Sequence, residues 1–529
     1  MKRLLCVVAL LMAGAGFGSA ETLTHVRIHV GDGPAVADKF QSAGWDVLEG
    51  SITAESLDLI VTAAEMDWLV AESYFPVVLA VSRPYYDIQR EQVGDGAGYP
   101  DLAAVIAELQ AKAAQYPNLC KFVDLTAAYA QPATFENRHM YAVKVSDNVT
   151  VDEDEPAFLI VAEHHAREIV TPVIALYALD QLLSQYGADP TITAIVDRYE
   201  IWICPVWNPD GYNYVFTVNN MWRKNRTVFA GGIGCDQNRN YPLGWYSSCS
   251  GSTTPSSETY KGPSPASESE TKTMLALGDD RHFGKVLDFH SSGREVLYSY
   301  RCITHPLTAW LQTEAAALGN QCAYGIRTPS ADGEHPHWHL GMHGAHAFLM
   351  ETATSFQPAY ATAQAEAVRV WPAIRWFFQR PYPLMGRVTD AQTGAPVVAT
   401  ITIDGLNYTN GEVHKSNARF GRYHLFLPPG ARTLHFAAEG YVTRDIPVTI
   451  TTAEQVLDVG LSRPFTVGDM NCDGVVNFDD INPFVLALSD RNAYEAAYPN
   501  CRWLNADVNG DGVVNFDDIN PFVALLTNP

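Results

Sequence analysis

The chain has 529 residues, of which 47% are apolar and 18% charged, and its formal net charge is −24. At about 150 residues per domain this length predicts three or four domains, and the composition excludes wholesale disorder and fibrous repeats. The negative charge also argues against nucleic acid as a partner, because no basic face is available to release counterions from phosphates.

The first twenty residues have the features of a secretory signal. Lys2 and Arg3 precede an apolar run from Leu4 to Phe17, and small residues follow before Glu21. The run is shorter than the roughly 20 residues of a membrane span, so it predicts a signal peptide over residues 1–20. We therefore expect a secreted, extracellular or periplasmic protein with no membrane span.

Export to an oxidising compartment allows disulfides. Three pairs of cysteines are separated by short loops, which favour bridges, although spacing alone leaves the connectivity open. These pairs are Cys235–Cys249, Cys302–Cys322 and Cys472–Cys501. Cys120 and Cys204 lie in apolar, strand-like runs and are interpreted as buried thiols.

Residues 21–88 alternate strand and helix patterns, which predicts a small α+β domain, and PYYDIQREQVGDGAG then has the character of a linker. Between residues 96 and 382, apolar strand runs alternate with helical periodicity. This pattern predicts an α/β domain in which helices flank a sheet on both faces.

Residues 383–463 contain short strands between Gly, Pro and Asn turns, which predicts a small β-sandwich. Residues 466–529 hold an internal repeat with a period of 38 residues. GDMNCDGVVNFDDINPFVLAL at Gly468 recurs as ADVNGDGVVNFDDINPFVALL at Ala506. We expect a small α-helical module there.

Polar side chains follow several apolar strands of the α/β region. AFLIVA leads to His165 and Glu168, KVLDF to His290, and HAFLM to Glu351. Since α/β sheets bind ligands beyond the carboxyl ends of their strands, these side chains are expected to meet at one edge.

The types of side chain at this edge indicate a metal. His165 and Glu168 are three residues apart and face the same way in a helical turn. With a distant third ligand from His290 they form two imidazoles and one carboxylate, which leaves a fourth position open. That donor set is typical of a catalytic zinc site. An isolated H-x-x-E is a weak signal, since it is more often a polar pair at the surface or at the edge of a core.

Seven ordered motifs strengthen this interpretation: EHHAREIV, WNPDGYNY, MWRKNR, DQNRNYP, SSETYKGP, DFHSSG and FLMET. With these motifs the region from about Tyr99 to Pro381 resembles the zinc metallocarboxypeptidases of the carboxypeptidase A type. The resemblance implies a carboxypeptidase-like mixed sheet flanked by helices. It also implies a substrate that is a peptide or protein with a free C-terminus.

The resemblance also implies roles for the residues in these motifs. His165, Glu168 and His290 match the ligands of one catalytic Zn²⁺. Glu351 matches the general base, which moves a proton from the attacking water to the leaving amine.

Three further motif positions match residues that act on the substrate. Arg223 matches the arginine that stabilises the oxyanion. Asn238 and Arg239 match the pair that grips the terminal carboxylate, for which a guanidinium fork is suited. Arg167 resembles a more remote substrate-binding arginine.

One position departs from the family pattern. The family carries a mobile tyrosine about twenty residues before the base, and counting back without gaps lands on Pro329. Tyr324 lies nearby but requires a shifted loop. Arg301 falls near the family's specificity pocket, where a cation would favour acidic C-terminal side chains, unless it points outward. The histidine-rich stretch His335–His346 is more typical of a polar stretch beneath the site than of a second metal site.

The flanking domains also have family resemblances. The N-terminal domain resembles an activation propeptide, which blocks the cleft until the linker near Arg83–Arg90 is cut, although a permanent accessory domain remains the alternative. The β-sandwich resembles a transthyretin-like domain. The C-terminal repeats resemble dockerin modules, which implies a docking partner.

Both repeats follow the 1, 3, 5, 7, 9, 12 spacing of calcium loops, with Gly474 and Gly512 at the sixth position. They predict two structural Ca²⁺ ions. The side-chain ligands would be Asp469, Asn471, Asp473, Asn477 and Asp480 in the first loop and Asp507, Asn509, Asp511, Asn515 and Asp518 in the second.

The leading functional hypothesis is a secreted zinc metallocarboxypeptidase. A second hypothesis is a zinc amidohydrolase or peptidase acting on cell-wall peptides or N-acyl amino acids, which the absent tyrosine favours. A third is a non-catalytic, calcium-dependent adhesion or scaffold protein, against which the intact set of His165, Glu168, His290 and Glu351 argues.

Overall fold

The structure is a computed structural model that describes residues 22–93, 98–464 and 466–527. The predicted signal peptide lies outside these ranges. No helix within them has both the length and the apolar character that a membrane crossing requires.

The N-terminal unit is a four-stranded sheet of order β2-β3-β1-β4 with helices packed against it. Its elements are β1 (Thr24–His29), α1 (Gly33–Ser42), β2 (Asp46–Leu48), a 3₁₀ turn (Glu49–Ser51), β3 (Ser56–Val61), α2 (Ala63–Ala71), β4 (Val77–Val81) and α3 (Tyr85–Val93). Thr62 begins α2 with a capping box, in which its side chain and that of Glu65 each bond the other residue's backbone N–H. The observed sheet and helices match the α+β pattern expected for this region.

The segment predicted as a linker is partly helical. Helix α3 covers Tyr85–Val93, and Tyr85 is buried against Tyr99 and Phe216 of the following unit. The aromatic residues of PYYDIQ thus pack against the next domain, which the sequence interpretation missed. Arg90 on the same helix keeps 73% of its side chain exposed.

The central unit has an eight-stranded mixed sheet of order β13-β12-β14-β11-β7-β8-β6-β5, as expected. Its elements are α4 (Leu102–Gln115), β5 (Cys120–Asp124), α5 (Leu125–Ala128), β6 (Tyr141–Val145), β7 (Ala157–Ala162), α6 (Val170–Gln185), α7 (Pro190–Val196), β8 (Glu200–Cys204), α8 (Pro209–Thr217), β9 (Val228–Phe229), β10 (Gly232–Ile233), a 3₁₀ turn (Gln237–Arg239), α9 (Ser269–Arg281), β11 (Lys285–Ser291), β12 (Glu295–Leu297), α10 (Thr308–Gly319), β13 (Gly325–Arg327), α11 (His335–His343), β14 (His346–Thr352) and α12 (Tyr360–Gln379).

The centre of this sheet carries the site. Strands β7, β11 and β14 run parallel, and the first two are buried along their whole length. Strands covered on both faces are nearly continuous in apolar residues, which explains AFLIVA and KVLDF. Because β7, β11 and β14 point the same way, their carboxyl ends lie at one edge.

Residues 384–461 form a three-stranded sheet, β18-β15-β21, and a four-stranded sheet, β17-β16-β19-β20, around one buried core. The strands are β15 (Leu384–Asp390), β16 (Thr400–Ile403), β17 (His414–Lys415), β18 (Arg422–Leu425), β19 (Gly430–Ala437), β20 (Arg444–Ile450) and β21 (Val459–Leu461). The C-terminal repeats contain α13 (Ile481–Ser489), α14 (Arg491–Ala497) and α15 (Ile519–Thr527), with 3₁₀ turns at Phe478–Asp480, Trp503–Ala506 and Phe516–Asp518.

The two-sheet region is attached to the central unit by apolar and ionic contacts. Phe426 packs on His346 of β14 with ring centroids 4.2 Å apart, and it belongs to the core of the central unit. Arg422 donates from Nε to Asp154 Oδ1 at 2.9 Å. These contacts place the region against the amino end of β14, away from the strand ends that carry the site.

Two disulfides are present among the described cysteines: Cys249–Cys302 and Cys472–Cys501. The second confirms the predicted pair, and the free, buried Cys120 and Cys204 also agree with the sequence interpretation. The predicted pairs Cys235–Cys249 and Cys302–Cys322 are wrong.

The error in pairing comes from reasoning along the chain. Asp332 donates its backbone N–H to the carbonyl of Cys249 and accepts the N–H of Cys302 on Oδ2, which brings the two loops together. The Cα atoms of Cys249 and Cys302 are then 6.0 Å apart, within bridging range. Cys235 and Cys322 are left as buried thiols.

Candidate metal centre and active site

His165, Glu168 and His290 meet at the carboxyl ends of β7 and β11, all of them buried. The two Nδ1 atoms of His165 and His290 are 3.1 Å apart. Glu168 approaches them with Oε1 2.8 Å from His165 Nδ1 and Oε2 3.2 Å from His290 Nδ1. A turn between β7 and α6 brings Glu168 back over His165, since the Glu168 N–H bonds the His165 carbonyl.

The chemistry of these donors fits a zinc ion. Two nitrogens bound to one tetrahedral zinc at about 2.0–2.1 Å would lie roughly 3.3–3.4 Å apart, close to the separation seen here. The far nitrogens of both rings face carboxylates, His165 Nε2 at 3.1 Å from Asp236 Oδ1 and His290 Nε2 at 3.3 Å from Asp288 Oδ2. Such carboxylate–histidine pairs orient imidazoles that bind metals.

Glu351 lies directly beside this cluster. It follows the apolar part of β14 and is paired in register with His290 on β11. Its Oε2 is buried and accepts no hydrogen bond from the described residues. Burial, with a further contribution from the Glu168 carboxylate, raises the pKa of Glu351 to about 8. A carboxyl group whose pKa is raised toward neutrality can both take up and release a proton near neutral pH.

Arg223 is held at the site by a buried carboxylate. Its Nε and Nη2 donate to Asp236 Oδ2 at 3.0 and 2.8 Å, while Oδ1 of the same group faces His165. Although burial acts in the opposite direction, Arg223 and His165 hold the pKa of Asp236 well below its usual range. Asp236 begins the DQNRN motif, and sequence reasoning gave it no role.

Asn238 and Arg239 lie on the 3₁₀ turn that follows Asp236. Asn238 Oδ1 accepts the backbone N–H of His335 at 2.8 Å. Arg239 Nη1 donates to the Asn238 carbonyl at 2.8 Å and to Glu334 Oε1 at 3.1 Å. The guanidinium of Arg239 is therefore fixed in place, because the side chains involved are all buried: Asn238, Arg239, Glu334 and His335.

One cavity of about 110 Å³ is lined by the candidate metal ligands and by the other predicted site residues: His165, Glu168, His290, Glu351, Arg223, Asn238, Arg239 and Arg167. The N-terminal unit forms one of its walls with α1, β2 and the turn after β2. Arg167, at the cavity wall, forms a two-pronged ion pair with Asp46 of β2 and lies 4.5 Å from the ring centroid of Phe356. Arg167, the predicted substrate-binding arginine, is therefore already paired with a carboxylate of the chain's own N-terminal unit.

Arg327 is a residue near the site that sequence reasoning missed. Its Nη2 lies 3.8 Å from Glu351 Oε1 and also pairs with Glu49 of the N-terminal unit, and Nε donates to Glu295 at 2.8 Å. It is the last residue of β13 and stands two residues before Pro329, where the family tyrosine was expected. An arginine so close to the expected tyrosine position was the feature of the sequence that could have identified this residue.

Two other sequence interpretations have different outcomes in the structure. Tyr324 donates its hydroxyl to Glu366 Oε1 at 2.5 Å in a buried position, so it is not the shifted family tyrosine. Arg301 pairs with Asp38 at 2.9 Å on the surface and is not among the described residues that line the cavity. A preference for acidic C-termini set by Arg301 therefore has no support.

The two predicted calcium loops have the same conformation. Gly474 and Gly512 adopt φ of 91° and 84°, which glycine allows without strain. Asp469 and Asp507 each accept the N–H of that glycine, at 3.0 and 2.9 Å. At the twelfth position, both oxygens of Asp480 accept loop N–H groups, and Asp518 repeats this arrangement. Calcium binding stays a prediction.

Comparisons with known proteins give a consistent result. The profile of the family described as "Zinc carboxypeptidase" matches residues 105–387. Carboxypeptidase A2 of Rattus norvegicus is 35% identical over 226 residues, which cover 41% of this chain and 51% of that protein. Metallocarboxypeptidase A of Trichophyton rubrum is 38% identical over 188 residues, covering 34% and 44%. The chain thus spans about half the length of the curated relatives it matches.

Solved structures show the same fold. Carboxypeptidase A from Helicoverpa armigera superposes with a TM-score of 0.57 at 18% identity, covering 67% of this chain and 96% of that one. Thrombin activatable fibrinolysis inhibitor superposes with a TM-score of 0.55 at 18% identity, covering 68% and 98%. The α/β fold with a mixed sheet flanked by helices is that of the carboxypeptidases.

Proposed function

The chain belongs to the zinc carboxypeptidase family, and from this premise we propose that it is a secreted metallocarboxypeptidase that hydrolyses C-terminal peptide bonds. The observation that carries the proposal is the convergence of His165, Glu168 and His290 beside Glu351. A non-catalytic scaffold would have no need to keep two buried imidazoles, their carboxylate partners and a buried base together.

Zinc held by His165, Glu168 and His290 would polarise the scissile carbonyl and lower the pKa of the attacking water. Glu351 accepts the proton of that water and delivers it to the leaving amine. Arg223, fixed by Asp236, faces the oxygen that becomes negative. Asn238 and Arg239 hold the terminal carboxylate of a peptide or protein substrate with a free C-terminus.

The metal and the reaction class can be tested together. Purified protein, assayed before and after limited trypsin treatment, should contain one zinc per chain. After treatment it should release single C-terminal residues from a peptide mixture, followed by mass spectrometry. A zinc chelator should abolish this release. Cleavage of cell-wall peptides or N-acyl amino acids in preference to linear peptides would favour the amidohydrolase alternative.

Glu351→Gln tests the base. We expect kcat to fall by about 10²–10⁴ because the proton acceptor is lost while the shape is kept. Zinc content, measured by mass spectrometry of the metal, should stay at the wild-type value. Glu295→Gln is the matched control, since Glu295 is paired in register with Glu351 on the neighbouring strand and does not line the described cavity. Full activity in Glu351→Gln would contradict the assignment.

The N-terminal unit is proposed to act as an inhibitory propeptide. Asp46 on Arg167 and Glu49 on Arg327 bring carboxylates from this unit to one arginine in the cavity wall and to another beside Glu351. These contacts stand where a substrate would bind. Cleavage at the exposed Arg90 would release the unit, and this favours a propeptide over a permanent accessory domain.

The C-terminal repeats are proposed to bind two Ca²⁺ ions and, as dockerin-like modules, a docking partner. Support for calcium comes from the shared conformation of the loops, with Asp469 Oδ1 buried and without a partner among the described residues. The region 383–463 is proposed as a transthyretin-like β-sandwich, for which the two sheets around one core are the support.

A further inference from the structure

The histidine-rich helix α11 is part of a larger cluster of buried imidazoles that the proposed chemistry does not use. Two of its histidines meet one from the end of α9 and two from the strands β17 and β18 of the two-sheet region. The backbone joins the two units at this place, since Val413 donates its N–H to the carbonyl of Gly341 at 2.9 Å. The five side chains, which we call the interface histidines, are each at most 8% exposed: His282, His339, His343, His414 and His424.

The interface histidines lie close enough to one another for their charges to interact. The ring centroid of His282 is 4.8 Å from that of His343 and 5.5 Å from that of His424. The Nδ1 atoms of His339 and His343 are 3.3 Å apart. A positive charge on His343 also acts on His414. Because like charges at such separations repel, each protonated ring makes the next protonation less favourable.

Most of these rings have nitrogens without a hydrogen-bond partner among the described residues. The nitrogens concerned are both of those in His414 and Nε2 of His282, His339 and His424. The His414 ring instead packs on Tyr408, with ring centroids 4.8 Å apart. Protonation would add a charge and an N–H group without an acceptor, and both are costly in a buried site. The cluster therefore suits neutral imidazoles.

The charged groups on the surrounding elements provide no buried counter-ion for the cluster, as far as the described residues extend. Asp279 pairs with His343 at 3.0 Å, but its side chain is 70% exposed. Asp288 partly offsets the lowering of the pKa of His339 by burial. The remaining charged groups have partners elsewhere or face water: Asp280 and Arg419 pair with each other, Arg281 pairs with Glu200, Arg422 pairs with Asp154, Glu412 accepts from Asn410, and Lys415 is exposed.

Three of the interface histidines have clearly lowered pKa values. Burial, followed by repulsion from neighbouring rings, lowers the pKa of His414 to about 4 and that of His424 to about 3. The same causes hold the pKa of His282 well below its usual range. In an opened interface water reaches the rings, and histidine then titrates near about 6.5. Their contribution to docking is thus complete above about pH 6.5 and is lost progressively as the pH falls below it.

We propose that the interface histidines form an acid-sensitive latch, which holds the two-sheet region against the central unit at neutral pH and releases it below about pH 6. The inference does not depend on the proposed peptidase function. His414 and His424 should each favour the open form about 30-fold more at pH 5 than at pH 7.5, because protons bind the open form preferentially. Together these two rings should raise the opening constant by about 10³.

Amide hydrogen exchange measures this opening. The Val413 N–H is bonded across the interface, so its exchange reports on the parting of the two units. Full-length protein is followed by mass spectrometry of overlapping peptides between pH 7.5 and 5, with correction for the intrinsic exchange rate at each pH. We expect the opening constant at Val413 to rise about 10³-fold or more over this range. Peptides from β19, which pairs only with strands of its own region, should show no comparable rise.

Two outcomes in the wild type overturn the proposal. One is an equal rise in β19, which would mean that the whole two-sheet region unfolds. The other is an opening that begins only below about pH 4.5, where carboxylic acids ordinarily titrate.

Variants assign the response to the histidines. His414→Phe keeps a buried ring of similar size and loses no hydrogen bond, since neither nitrogen of His414 has a partner. It should keep Val413 protected at pH 7.5 and reduce the acid response about 30-fold. His424→Gln is a second variant with the same expected reduction. His435→Gln, which removes a histidine paired with Asp404 and Asp445 at the surface, is the control and should keep the wild-type response. A full acid response in both His414→Phe and His424→Gln overturns the proposal.

Discussion

Asp236 positions two side chains with different tasks. One of its oxygens faces the Nε2 of His165 and the other accepts two hydrogen bonds from Arg223. A carboxylate in this position selects the tautomer that leaves His165 Nδ1 free to bind a metal. The same carboxylate pairs with Arg223 and holds it at the site, so the proposed zinc ligand His165 and the proposed oxyanion donor share one buried support.

Asp236→Asn is expected to weaken zinc binding about 10–100-fold, because the amide no longer provides a carboxylate partner for His165. Affinity is measured by competition with a chromogenic zinc chelator. Asp279→Asn is the control, since Asp279 pairs with His343 at the surface and its side chain is 70% exposed. Unchanged zinc affinity in Asp236→Asn would show that Asp236 has no part in orienting His165.

At the scale of elements, β2 and the 3₁₀ turn after it carry the contacts between the N-terminal unit and the cleft. Asp46 and Glu49 lie three residues apart on this short stretch and reach Arg167 and Arg327. The Asp46–Arg167 pair is buried, so removing one partner leaves an uncompensated charge. The pair Asp38–Arg301 joins the same two units at the surface.

Asp46→Asn should therefore activate the uncut chain. Breaking a buried ion pair costs about 3–5 kcal/mol, enough to populate the undocked state and to raise peptidase activity before trypsin at least several-fold. Asp38→Asn removes an exposed pair worth about 0–1 kcal/mol and should leave the uncut chain latent. Equal activity of uncut and trypsin-cut wild type would exclude inhibition by this unit.

The buried Asp46–Arg167 pair also determines how the docking of the N-terminal unit responds to acid. Although burial acts in the opposite direction, Arg167 holds the pKa of Asp46 below its usual range. A lowered folded-state pKa means that the contribution of Asp46 is complete above the ordinary carboxyl pKa of about 3.9. It is lost only as the pH falls through the lowered value. Latency of the uncut chain should thus persist from neutral pH down to about 4.

At the scale of the whole molecule, the two-sheet region completes the core of the central unit. Phe426 is 7% exposed and packs on His346 and Tyr382. Phe426→Ala should lower the free energy of unfolding of the central unit by about 3–5 kcal/mol, as for other buried aromatic residues. Calorimetry of the metal-free protein measures it. Phe135→Ala, at a site that is 56% exposed, should change it by less than about 0.5 kcal/mol.

The C-terminal repeats should depend on calcium for much of their stability, because their core is small. Calorimetric titration should find two sites in the wild type and one in Asp469→Asn. Asp479→Asn changes the neighbouring eleventh position, which is exposed and not a predicted ligand, and should keep both sites. Absence of calcium binding at millimolar concentration would contradict the assignment.

Much of the fold and of the candidate site could be predicted from the sequence. The buried strands AFLIVA and KVLDF are wholly or mostly apolar, and β7, β11 and β14 all end next to polar residues. Parallel strands bring such ends together whatever the length of chain between them. His165, Glu168, His290 and Glu351 were therefore foreseen as neighbours from their positions after strands.

Only the tertiary structure decided the contacts made by loops and by separate units. Cys249 pairs with Cys302 rather than Cys235, Arg167 is taken by Asp46, and Glu334 lies beside Arg239, 95 residues away in sequence. The hydrophobic period of a strand or helix is local and is repeated along the chain, so it can be recognised from the sequence. A contact between two loops depends on how whole elements pack, and no local pattern records that distance.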